Sequence, residues 1–123
     1  MPGLPEIADG ADLAALIVAA AARSQLTIDS ETVIVIAHKA VSKSEGAVVS
    51  LRDVTPGPRA TALAAELGRD DARVVQVVLD QSSAVLRAQS GVMIVRTHHG
   101  FICANAGVDA SNAAEPDTLV LLP

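Results

Sequence analysis

Thr32 to Ala37 reads TVIVIA, and this run limits the chain's folding options more than any other. Four β-branched aliphatic residues follow a threonine without polar alternation, the pattern of a strand covered on both faces. A central strand is therefore expected there, with other elements layered against each side. The chain has 123 residues, half of them apolar, enough for one compact unit with a real core. Nearly all the apolar residues are Ala, Val, Leu and Ile, and Phe101 is the only Phe, Tyr or Trp. The core is expected to be aliphatic, and base stacking on aromatics is not expected.

The remaining pattern is mixed. Asp9 or Asp12 is placed to take up the free amides ahead of a helix over Ala11–Arg23. His38–Gly46, HKAVSKSEG, reads as a polar break, and Ala47–Leu51 as a short strand. Thr55-Pro56-Gly57-Pro58 is a loop, and Arg59–Leu67 a helix stopped by Gly68. A further helix is expected from about Asp70 to Gln89, with Val74, Val75, Val78, Leu79, Val85 and Leu86 on its buried face. Val92–Arg96 and Phe101–Asn105 form a strand pair around a tip of Thr97-His98-His99-Gly100, and Leu119–Pro123 is a last strand that needs a partner. Without a steady βαβ rhythm, the fold class is α+β, or irregular α/β, with a mixed sheet and helices.

Charge removes some function classes. Nine Lys and Arg against fourteen Asp and Glu leave a net charge of −5, which provides no basic surface for a nucleic-acid backbone. Leu13–Ala22 is too short to cross a bilayer, so no membrane partner is expected, and the acidic start MPGLPEIADGADL lacks signal-peptide character. Cys103 has no second cysteine with which to pair, which fits a reducing, cytoplasmic setting.

Several residues could carry chemistry, each with a plainer alternative. Asp109, in GFICANAGVDASN, is a hard oxygen ligand suited to Mg²⁺ or Mn²⁺, or else a turn residue. Lys39 and Lys43 follow the expected central strand, where an ammonium could meet phosphate, or else they belong to a solvated loop. Neither glycine-rich phosphate-loop motif is present. The rings of His98 and His99 diverge at a turn, and Cys103 sits in an apolar strand as a small hydrophobe.

Taken in order, Gly3-Leu4-Pro5-Glu6-Ile7, Val41-Ser42-Lys43-Ser44-Glu45-Gly46, Gly68-Arg69-Asp70-Asp71-Ala72-Arg73 and Arg96-Thr97 through Asn112 resemble one family. They are similar to the coenzyme F-420-0:γ-glutamyl ligases, which attach L-glutamate to coenzyme F-420-0 using GTP, and the resemblance runs over 1–123 as an N-terminal portion. It implies nucleotide contacts at Leu4, Pro5, Glu6, Ile7, Lys43 and Asn112, and a divalent-metal ligand at Asp109. His38 and Lys39 occupy paired nucleotide positions where many members carry small hydroxyl residues. The resemblance also implies an acyl phosphate route and a homodimer. Family members continue into a second half with further metal, nucleotide and coenzyme contacts. The chain alone is therefore expected to have little or no ligase activity and to pair with a chain supplying that half. The rival reading is a non-catalytic binding or assembly domain with the same fold; a weaker one is a thiol enzyme using Cys103 with His98 or His99.

Overall fold

The computed structural model describes residues 4–110 and 117–123. By internal contacts the chain divides into two compact units, one running to Ala47 and taking in Pro123, the other Val48–Leu122. The α+β expectation is met. The described strands pair antiparallel in two separate small sheets, where one mixed sheet was expected.

In the first unit, helix α1 (Leu13–Arg23) begins where Asp12 Oδ1 accepts the Ala15 amide at 2.9 Å, so Asp12, not Asp9, is the cap. Helix α2 (His38–Ser44) replaces the expected polar break. Its serines do not compete for a loop: Ser42 Oγ donates to the His38 carbonyl at 3.0 Å and Ser44 Oγ to the Val41 carbonyl at 2.8 Å.

Thr32–Ala37 is the main correction. The segment is outside regular secondary structure, and Val33 and Val35 are 85% and 90% exposed where burial on both faces was expected. A β-branched run favours extended backbone, but burial requires neighbours, and no described strand pairs with this one.

The second unit holds strand β1 (Val48–Ser50), a 3₁₀ turn at Leu51–Asp53, helices α3 (Pro58–Leu67) and α4 (Ala72–Asp80), strands β2 (Ser82–Gln89), β3 (Val92–Thr97) and β4 (Ile102–Ala104), a 3₁₀ turn at Asn105–Gly107 and strand β5 (Thr118–Val120). Gly68 ends α3 in the left-handed conformation at φ 64°, as its position predicted. The helix expected to reach Gln89 stops at Asp80, and Ser82–Gln89 turns back as β2. A two-residue turn, Ser90-Gly91, with φ of 52° and 79°, joins β2 to β3. The C-terminal strand has a partner: β5 pairs with β1, Val48 opposite Val120.

Burial follows the apolar faces. Val75 and Val78 of α4, Ala60, Ala64 and Leu67 of α3, and Met93 and Val95 of β3 close one core; Leu51, Val77 and Leu119 close a second. Val85 packs on the first core from β2, whereas Leu86 is exposed. No described helix is long and apolar enough to cross a membrane.

Candidate functional site

The first unit brings together two segments far apart in sequence. Residues 4–7 of GLPEI run ahead of the Asp9-Gly10 turn, and the Gly10 amide donates to the Ser44 carbonyl at 2.9 Å, fastening that turn to the end of α2. Gly46 completes the junction. At φ +67° it closes α2 in the left-handed region, where a side chain is strained, so the final glycine of VSKSEG answers a backbone need.

This docking sets Lys43 Nζ 3.7 Å from Glu6 Oε1. The lysine side chain is 19% exposed and the glutamate 68%, so the cation is sheltered while its partner reaches into solvent. At that distance the attraction is modest and leaves the ammonium able to exchange partners. Pro5 and Ile7, the sequence neighbours of Glu6, line an apolar pocket of about 290 Å³ with Leu4, Ile34, Val35 and Ile36. A sheltered ammonium can orient an anion, and an apolar recess can take up the body attached to one.

His38 and Lys39 form the first turn of α2, His38 exposed and Lys39 partly buried. Both lysines thus sit on a helix, not on the loop after a strand, and Lys43 is held by the helix end.

In the second unit Asp109 is partly buried and fixed by its main chain: its amide donates to the Val120 carbonyl at 2.9 Å and its carbonyl accepts the Val120 amide at 2.8 Å. Just before it, Asn105, Ala106 and Gly107 all have positive φ, 50°, 55° and 69°. Three consecutive left-handed residues, two of them not glycine, persist only where the surroundings hold them. Asn105 Oδ1 accepts both the Met93 amide and Arg69 Nη2 at 3.1 Å, and Arg69 also donates from Nε and Nη2 to the Gly91 carbonyl at 2.9 and 2.6 Å. Arg69 and Asn105 were only motif letters in the sequence; their joint role appears once the β2–β3 turn is in place.

Among the described residues no group of three His, Cys, Asp or Glu converges. Asp109 alone fits one ligand position of a Mg²⁺ or Mn²⁺ ion, a hard oxygen donor for a cation that usually keeps several waters and phosphate oxygens. Asn112 lies outside the described residues. The histidines diverge as expected: His98 Nε2 hydrogen-bonds the Asp80 carbonyl at 2.9 Å, while His99 stacks on Phe101 with centroids 6.3 Å apart. Cys103 is partly buried in β4.

The family model described as F420-0:Gamma-glutamyl ligase matches residues 3–123. The chain belongs to this ligase family. Among relatives called coenzyme F420:L-glutamate ligase, that of Methanothermobacter thermautotrophicus is 38% identical over 110 residues, 89% of this chain and 43% of the relative. The Methanopyrus kandleri protein is 40% identical over 118 residues, 96% and 44%, and the Halobacterium salinarum protein 39% over 124 residues, 97% and 47%. The chain thus spans less than half the length of these ligase-family relatives.

Proposed function

We propose that this chain is the amino-terminal portion of a GTP-dependent ligase that joins L-glutamate to coenzyme F-420-0, and that it binds the nucleotide without completing the reaction alone. The observation that carries the reading is the convergence of two matched motifs: Lys43 of VSKSEG lies 3.7 Å from Glu6 of GLPEI, whose neighbours Leu4, Pro5 and Ile7 line an apolar pocket.

In this reading the main chain of residues 4–7 lies along the nucleotide, Lys43 leaves Glu6 for a phosphate oxygen, and His38, Lys39 and Asn112 add contacts. Asp109 holds Mg²⁺ or Mn²⁺, which when bound offsets phosphate charge. The coenzyme carboxylate attacks the γ-phosphorus of GTP and GDP leaves, giving an acyl phosphate. The glutamate amine then attacks the acyl carbon, phosphate departs with its oxygen, the amine gives up a proton, and an amide remains. Positioning and charge neutralisation supply most of the acceleration in such transfers. The working assembly is a homodimer of the complete ligase, or this chain paired with a polypeptide supplying the remaining half, in the cytoplasm.

Calorimetric titration of GTP into the chain with Mn²⁺ tests this. Metal-dependent binding that weakens in Lys43→Ala and loses its metal dependence in Asp109→Ala is expected. A folded chain that takes up no GTP at millimolar concentrations in either metal would replace the ligase reading with the assembly-domain one.

A further inference from the structure

The segment Thr32–Ala37 has the composition of a strand and lies outside regular secondary structure. Exposure alternates along it, 85% at Val33, 45% at Ile34, 90% at Val35 and 43% at Ile36. The period of two is that of an extended chain with one face turned inward. The inward residues, Ile34 and Ile36, line a recess with Leu13 and Ile17 of α1. The outward ones, both valine, stay almost wholly exposed, Val35 at the rim of the pocket lined by Leu4, Pro5 and Ile7. Among the described residues, the main-chain groups of Val33–Ile36 hydrogen-bond to no other main chain. The segment is therefore open along its edges and across its outer face. Val18 of α1, Leu26 and Ile28 extend the same unit's exposed apolar surface.

Edge strands that stay open in folded proteins usually carry lysine, proline or a bulge to block pairing. Here there is none: the run holds only aliphatic residues after Thr32. Such a template accepts a strand by main-chain pairing, with alternate side chains supplying selectivity. The occupant is indicated by size. Relatives matched across 89–97% of this chain are more than twice as long, the match covering only 43–47% of them. More than a hundred residues of the complete ligase thus lie outside the described fold, enough to provide a pairing strand and a layer over the valines.

We propose that residues 32–37 are the docking strand for the other half of the complete ligase, which adds a β-strand to this edge and covers Val33 and Val35. The identity of the partner rests on the ligase reading; the presence of an exposed, unpaired apolar run does not.

The test compares amide hydrogen exchange at residues 33–36 in two proteins: the chain alone, and the chain joined to those residues of the Methanopyrus kandleri relative that it does not span. The amides are expected to exchange freely in the first and to gain roughly a hundredfold protection or more in the second. Val33→Lys with Val35→Lys removes that gain, while the chain alone keeps its far-ultraviolet spectrum. If the fusion does not fold, the same measurement is made after co-expression of the two parts as separate polypeptides; failure to associate overturns the proposal. Amides as exposed in the fusion as in the chain alone, or protection that survives both lysines, also overturn it. So does protection in the chain alone that vanishes on dilution, which would make a second copy the occupant. GTP titration of the same fusion reports separately on the ligase reading: a protected strand without nucleotide binding keeps the docking surface and discards the function.

Discussion

Asp71 shows how one carboxylate serves two purposes. Its Oδ1 caps α4 by accepting the Arg73 amide at 2.9 Å, and its two oxygens take the Arg73 guanidinium, the shortest contact 2.7 Å. The hydrogen bonds from Arg73 hold the carboxyl below its ordinary value of 3.8. Because the folded value is depressed, the stabilisation is present above the ordinary value and is lost as pH falls through the depressed one. Asp71→Ala should cost about 1 kcal/mol for the cap, with the solvent-screened ion pair adding little. Asp71→Asn keeps an acceptor and should lose only the smaller part; urea titrations from pH 7 to pH 2 should show the wild-type advantage over it closing in acid. Gly107 answers a stricter demand. Its φ is +69° and a Cβ would fall 2.6 Å from Leu122 Cγ, so Gly107→Ala should lower unfolding free energy by about 2–4 kcal/mol from overpacking and left-handed strain together. An urea midpoint unchanged in that variant would contradict the packing described. Caps such as Asp12 and Gly68 were legible because capping is a rule about neighbours in sequence. The Arg69–Asn105 contact was not, since only the hairpin brings Gly91 and Asn105 to the same guanidinium.

Elements were legible where their pattern is local and hidden where a distant partner decides. Val85 and Leu86 continue the helical spacing of α4, so sequence extends that helix to Gln89. The segment instead pairs with β3, and its register shifts between Ser82 and Ala84 and between Val85 and Arg87. Those irregularities erase the period of two that would have marked a strand. Ser83 Oγ, donating to the Arg96 carbonyl at 3.1 Å, helps hold the start of the hairpin. At the other end Arg69 ties the Ser90-Gly91 turn to the Asn105 turn, so Arg69→Ala should loosen both together. A loss of about 1.5–3 kcal/mol is expected for hydrogen bonds from a charged donor, with faster amide exchange at Met93, whose acceptor Asn105 loses its second anchor. Faster exchange at the Gly91 turn alone would show that the two turns are independent. Thr32–Ala37 marks the opposite failure: its composition specifies a strand, but composition cannot say which polypeptide supplies the neighbouring layers.

For the whole molecule, the family was legible because four motifs keep their order, and the candidate site was legible only as residue types. The structure adds the convergence of Glu6 and Lys43 in the first unit and the fixed main chain of Asp109 in the second. Asn112 lies outside the described residues. The proposed nucleotide role makes opposite demands on Glu6 and Lys43. Lys43 supplies the positive charge, so Lys43→Ala should weaken GTP binding about tenfold, the worth of one charge-assisted hydrogen bond to phosphate. Lys43→Arg should recover only part of this, since a planar fork replaces a compact ammonium at a sheltered position. In that proposed role Glu6 would contribute main chain to the nucleotide, while its carboxylate, 3.7 Å from Lys43, would hold the ammonium and repel phosphate. Glu6→Gln keeps the backbone and removes both penalties, so GTP should bind a few-fold more tightly, with the gain shrinking as salt is raised from 50 to 500 mM because the repulsion is screened. Calorimetric titration of Glu6→Gln, Lys43→Ala and the double variant closes the cycle. If Glu6 acts through Lys43, its substitution changes affinity less when Lys43 is already gone. Weaker binding in Glu6→Gln would instead assign the carboxylate itself to the nucleotide, and the pairing with Lys43 would then be a resting contact without influence on affinity.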